Sequence, residues 1–244
     1  MNFIDYYRKN PRGAKICRVT YSHPQKNIKI TLYPMMHIAS KEFYETISEN
    51  LKRFDLILFE GTTWHKYRMK RKMYDWFAKG LGLKTQRGNL VYPKNVEKIN
   101  IDMPVEQFRK GFHNLYIKDR FLFYLIRPLL FIITLIYPKN EILEAMMRRE
   151  ILSERNYNDN HSKYYLILKQ RDEYMCKQLD KVLTKYGKSG EMTYIAIVFG
   201  LSHMYSINEY LKKLKFRTGR KKWITAINLD DWLKPNWQKK YLSS

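Results

Sequence analysis

The sequence predicts an α/β fold: a central, mainly parallel sheet flanked by helices, with a large helical insertion between about 104 and 186. Three observations predict it. Short runs rich in β-branched and aromatic residues recur along the chain. Two of them, 55–59 and 194–199, are apolar apart from Asp55 at the start of the first, as strands covered on both faces are. Between the runs lie segments whose apolar residues return every three or four positions, and strands alternating with such segments define the class.

The expected strands are "AKICRVTY" (14–21), "NIKITLY" (27–33), "DLILFEG" (55–61), "KINID" (98–102), "TYIAIVFG" (193–200) and "WITAINL" (223–229). A helix is expected over 40–53, where Phe43, Ile47, Leu51 and Phe54 share a face and Ser40 is placed to cap. A second begins at Pro104, with Asp102 as a cap or turn residue, and runs to 118. Two longer helices are expected over 139–153 and 162–186, with Asn156 to Asn160 as the turn between them. No Gly/Ser/Pro-rich linker, low-complexity tract or internal repeat divides the chain, so residues 1–244 read as one domain, with 104–186 as its helical insertion.

Forty-six Lys and Arg stand against 23 Asp and Glu, a formal net charge of +23. So much charge must be solvated, and it suits an anionic membrane surface as a partner; an AT-rich coding bias toward Lys, Asn, Ile and Tyr explains it equally well. Nucleic acid is disfavoured, because no zinc-finger spacing, RNP-type aromatic segment or helix-turn-helix is present. Cys17 and Cys176 have no CxxC partner and read as reduced, buried thiols, which favours a reducing compartment. The first residues, "MNFIDYYRKNPRG", lack an apolar h-region and a cleavage site, so the expected location is cytoplasmic, without a signal peptide. Residues 121–138, "FLFYLIRPLLFIITLIYP", are apolar but carry Arg127-Pro128 near the middle, which would kink a helix and is costly in hydrocarbon. That segment reads as a buried helix pair, a cover over a hydrophobic groove, or an element dipping into a membrane.

Ligand sites in such sheets form beyond the carboxyl ends of the strands. There the chain offers His37 after the second expected strand, Glu60 ending the third, Asp102 ending the fourth and His203 after the fifth. If those strands are parallel, two imidazoles and two carboxylates share one rim. Two neutral imidazoles and a carboxylate are three ligands for a divalent metal with a position open for water, and a nearby carboxylate can serve as base. The spacing has no HExxH or other local metal signature. Each residue also has a plainer reading: His37 and His203 as packed or capping histidines, Asp102 as a cap. Glu60 ends an apolar strand, where a buried carboxylate demands a partner. Arg171, on "KQRDEYMCKQLDKVL" with Asp172 beside it, reads either as a helix salt bridge or as a group that holds a carboxylate or an oxyanion. Among the other histidines, His65, four residues after "EG", is the reserve candidate.

The ordered set of these segments resembles a known superfamily. "HIASKEFYETISENLKRFDLILFEG", then "LGLKTQ" with "KINIDMPVEQF", then "RDEYMCKQLDKVL" with "YIAIVFGLSHMYSINEYL", resemble the successive signatures of the TraB/PrgY/GumN and TIKI proteins over about residues 28 to 216. The resemblance implies an α/β fold like that of the erythromycin-esterase and ChaN-like proteins. It implies a metal-dependent hydrolase of peptide or amide bonds, with a peptide or small molecule as its ligand. His37, His203 and Glu60 would hold a divalent metal or its water, and Glu60 and Arg171 would take part in catalysis. Asp102, Asp172, Gln86 and His65 would support the site or bind substrate. One position departs from the family pattern: Pro34 stands where its first motif has glycine, which fixes φ near −65° just before His37. The alternative expectation, from a different class, is a non-catalytic regulator that keeps the cleft and sequesters a peptide or small ligand, with or without a membrane contact.

Overall fold

The computed structural model describes residues 6–10, 13–61, 75, 78–113, 163–187 and 190–228. The apolar segment 121–138, the expected helix 139–153, the turn at 156–160 and His65 lie outside the described residues. Nine strands are described: β1 (Tyr7–Asn10), β2 (Gly13–Ser22), β3 (Ile28–Met35), β4 (Ile38–Ala39), β5 (Leu56–Phe59), β6 (Lys84–Thr85), β7 (Glu97–Asn100), β8 (Thr193–Gly200) and β9 (Arg217–Asn228). The helices are α1 (Lys41–Leu51), α2 (Val105–His113), α3 (Lys163–Tyr186) and α4 (Met204–Lys213), the last preceded by a 3-10 turn at Leu201–His203.

A seven-stranded mixed sheet organises the chain, in the order β1-β2-β3-β8-β5-β7 with β9 on the far edge of β2. Its inner half is parallel: β3 runs beside β8, β8 beside β5 and β5 beside β7. Leu56, Ile57 and Leu58 on β5 and Ile195 to Phe199 on β8 are buried, as expected for strands packed on both faces. The other half is antiparallel, where β2 pairs with β1, β3 and β9. The fold is therefore α/β with a mainly parallel core, and only the two ends of the expected 104–186 insertion, α2 and α3, fall within the described residues.

Local chemistry explains the element ends. Ser40 caps α1, its Oγ accepting from Phe43 N at 3.2 Å. Phe43, Tyr44, Ile47 and Leu51 form the buried face of α1. At the end of α4, Phe216 N donates to Leu211 O at 3.0 Å and Lys215 N to Lys212 O at 2.8 Å, while Lys215 takes φ 63°. This is a Schellman stop, and the buried pair Leu211 and Phe216 seals it before the chain enters β9. The outer strand β9 begins earlier than its apolar run suggested. Residues 217–222 are exposed and carry Arg217, Arg220, Lys221 and Lys222, and such charges protect an edge strand from pairing with another chain.

Pro34 fits without strain. It lies buried in β3 opposite Phe199, and no residue from 34 to 37 takes a positive φ, so glycine's freedom is not called on there. The β2–β3 ladder has already stopped at Leu32, so the missing N–H removes no β2 partner.

Helix α4, which begins just after His203, is tied to the sheet by a buried polar chain. Tyr21 OH donates to Asn208 Oδ1 at 2.8 Å and lies 2.7 Å from Tyr6 OH, with Asn208 fully buried. A buried amide that loses its donor costs roughly 1–3 kcal/mol. Tyr21→Phe should therefore lower unfolding free energy by about 2 kcal/mol in urea titration; an unchanged midpoint would show that this chain does not anchor α4.

Candidate functional site

The parallel order places the chemistry. Along one rim the chain leaves β3 at His37, β8 at His203, β5 at Glu60 and β7 at Asp102, in the spatial order of those strands. The side chain of Arg171, from α3, closes over this rim and joins three of the four. Its Nε donates to Asp102 Oδ1 at 2.7 Å and Nη2 to Asp102 Oδ2 at 2.8 Å, a two-pronged grip. Nη2 also donates to Glu60 Oε1 at 2.5 Å, and Nη1 meets His203 Nε2 at 3.0 Å. The network extends away from the rim, where His203 Nδ1 bonds Asp172 Oδ1 and Ser206 Oγ donates to Asp172 Oδ2, both at 2.5 Å.

Burial makes these contacts strong. The Arg171 and Glu60 side chains are only 11% and 13% exposed and Asp102 is closed off entirely, so charges are poorly screened and each needs its partner. Burial alone would push the Glu60 carboxyl up. The Arg171 guanidinium outweighs it, helped by the charges His203 and His37 carry when protonated, and the carboxyl is held at about 2. Burial likewise works against the Arg171 cation, but the bond to Asp102 and the charge of Glu60 hold it protonated more firmly than usual.

The backbone takes part as well. Glu60 Oε2 accepts from Gly200 N at 2.7 Å, and a Cβ on Gly200 would come within 3.0 Å of that oxygen. Gly200 has an ordinary φ of −52°, so it is needed for room rather than for conformation. On the far side, Asn100 imitates a strand neighbour for Gly61, with its side chain bonding Gly61 N at 3.2 Å and Gly61 O at 3.0 Å, and it accepts from Asp102 N at 3.0 Å. This pins the two acidic strand ends to each other.

The expected residues separate clearly. Glu60, Asp102, Arg171, Asp172 and His203 form one connected cluster. His203 sits just before α4 without capping it; its ring faces Asp172 and Arg171 instead, edge-on to Phe199 at 5.7 Å. Asp102 keeps a turn bond to Met103 N at 2.8 Å, but its carboxylate chiefly holds Arg171. Arg171 pairs with strand-end carboxylates distant in sequence, rather than with a neighbour on its own helix. His37 is exposed and near enough for its charge to act on Glu60, while its carbonyl accepts from Gln86 N at 2.8 Å. Gln86 thus meets the site through its backbone, beside the β4–β6 bridge.

Three further contributors are Asn100, Ser206 and Tyr92, and of these Asn100 and Tyr92 have no signal in the local sequence. Tyr92 is half-buried against Phe59 at 5.4 Å between ring centres, and its phenol is pushed up by burial and by the charge of Glu60. Ser206 lies three residues beyond His203, so a reading of helix faces could have found it.

The donors do not fit a divalent metal as they stand. Both Glu60 oxygens accept from N–H groups, and the ring nitrogen of His203 that faces the rim is met by the guanidinium. Among the described residues, no three His, Cys, Asp or Glu side chains form a metal-holding group. No described helix is long and apolar enough to cross a membrane. Comparisons with family models, with curated proteins and with solved structures return no match.

The ion pairs carry a sign-defined pH dependence. Glu60 titrates at about 2 in the fold against 4.5 ordinarily, which assigns on the order of 3 kcal/mol to its charged form. A lowered carboxylate value contributes stability that is fully present above 4.5 and lost as pH falls toward 2. Glu60→Gln should flatten the decline of the urea midpoint across that window; parallel profiles for the two proteins would show that Glu60 is not held this way.

Proposed function

We propose that the chain is a hydrolase of peptide or other amide bonds in which His203 is the general base. The observation that supports this most is the bond from His203 Nδ1 to Asp172, itself held by Ser206, at the rim where Arg171 is fixed. A carboxylate on Nδ1 selects the tautomer whose Nε2 carries the lone pair, and it steadies the imidazolium that forms when Nε2 takes a proton. The resemblance to the TraB/PrgY/GumN and TIKI proteins agrees with a peptide substrate, and the excess of positive charge suits an anionic membrane surface as a secondary contact.

Substrate entry has to open one bond, that between Arg171 Nη1 and His203 Nε2. It is the bond of the network that no negative charge supports, whereas Nε and Nη2 stay clamped to Asp102 and Glu60. Opening it presents Nε2 to a water and Nη1 to a carbonyl oxygen. Nε2 removes a proton from the water as its oxygen attacks the carbonyl carbon. Nη1–H stabilises the resulting oxyanion, the C–N bond breaks, and the imidazolium returns the proton to the leaving amine. A metal-dependent form of the same hydrolysis, with His37, His203 and Glu60 as ligands, requires Arg171 to leave Glu60 and His203 first.

A diverse peptide library followed by mass spectrometry tests the proposal. Cleavage is expected at neutral pH with chelator present. His203→Gln should lower the rate by about 100-fold or more and Asp172→Asn by at least about 10-fold, with folding unchanged by circular dichroism. Loss of cleavage in chelator with recovery on adding metal would select the metal-dependent form. Tight capture of a peptide without any cleavage would replace the hydrolase by a sequestering protein.

A further inference from the structure

We infer that Arg171 is the built-in cation of this site, filling from within the chain the position that a divalent metal would take between Glu60, Asp102 and His203. The inference is independent of the hydrolase reading, since it concerns only what balances the charge at the rim.

Two carboxylates and an imidazole are a donor set suited to zinc, cobalt or manganese. Here one from each of three strand ends turns toward the same guanidinium: Glu60 Oε1 and Asp102 Oδ2 meet Nη2 at 2.5 and 2.8 Å, and His203 Nε2 meets Nη1 at 3.0 Å. The outer contacts are also those of a metal centre. A metal-bound histidine usually donates its second ring N–H to a carboxylate, as His203 Nδ1 does to Asp172, and metal-bound carboxylates are held by further donors, as Glu60 Oε2 is by Gly200 N.

The occupant differs. A guanidinium is planar and permanently charged, and it reaches the rim from α3 without being drawn from solution. Its positive charge repels a second cation from the same donors, and its N–H groups engage their lone pairs. Removing the guanidinium leaves two carboxylates and an oriented imidazole around a vacated volume in a poorly screened setting, which strongly favours a divalent ion.

Cobalt(II) is the probe, because its visible absorption reports coordination directly. The unsubstituted protein, Arg171→Ala, Arg171→Lys and the double variant Arg171→Ala/His203→Ala would be titrated with Co²⁺, with folding followed by circular dichroism. Arg171→Ala should bind one Co²⁺ at least about 100-fold more tightly than the unsubstituted protein, with a new visible band that is absent from Arg171→Lys and lost in the double variant. If Arg171→Ala unfolds without metal, the inference expects Co²⁺ to restore its fold. Equal Co²⁺ binding by the unsubstituted protein would overturn the inference. So would a folded Arg171→Ala without the band, or an unfolded one that Co²⁺ does not recover.

Discussion

A guanidinium buried at the carboxyl ends of parallel strands can exist only if anions meet it there, and that requirement ties the parts of this protein together. Arg171 comes from α3, Glu60 from the end of β5 and Asp102 from just beyond β7, so three stretches far apart in sequence are held by charges that water barely screens. Losing Arg171 would leave both carboxylates without their counter-charge in a low-dielectric setting, and losing either carboxylate would leave the guanidinium with only the other. The surrounding contacts serve the same end. Asn100 bonds Gly61 and the Asp102 backbone, Gly200 donates to Glu60, and the Tyr6–Tyr21–Asn208 chain steadies the helix that follows His203.

The parallel half of the sheet makes this arrangement available. Neighbouring parallel strands end on the same side, so single residues just past four strand ends become neighbours without any local motif. That is why the spacing of His37, Glu60, Asp102 and His203 resembles no metal signature and yet Glu60, Asp102 and His203 meet on one side chain. The antiparallel half acts differently, because β2 and β9 close the sheet and the charged outer part of β9 keeps that edge in water.

Much of this was legible in the sequence. The runs that follow Asp55 and that span 194–199 stand out because strands covered on both faces need unbroken apolar side chains, and Ser40 announces α1 because a hydroxyl there satisfies an otherwise unpaired N–H. The short polar strand β1 and the first half of β9 were not legible, since their pairing depends on β2 rather than on their own composition. The placement of Glu60 and His203 followed from the rule about strand ends. The position of Arg171 did not: on a charged helix its neighbours in sequence are as good a match as its true partners, and only the tertiary fold brings Asp102 and Glu60 to it. Asp102, two residues before a proline, looked like a cap for the same reason, and Asn100 and Tyr92 act through contacts that no local pattern encodes, whereas Ser206 shares a helix face with His203. The Pro34 departure mattered less than its chemistry suggests, because the backbone before His37 stays in ordinary φ space.

Nitrogen-15 NMR of the Arg171 side chain tests the central claim most directly. A guanidinium clamped through Nε and Nη2 by Asp102 and Glu60 cannot rotate about its Nε–Cζ bond. Arg171 should therefore show separate, slowly exchanging Nε–H and Nη–H signals at room temperature, and these should collapse toward the averaged pattern of surface arginines in Asp102→Asn. A single averaged Nη signal that exchanges rapidly with water in the unsubstituted protein would contradict the account.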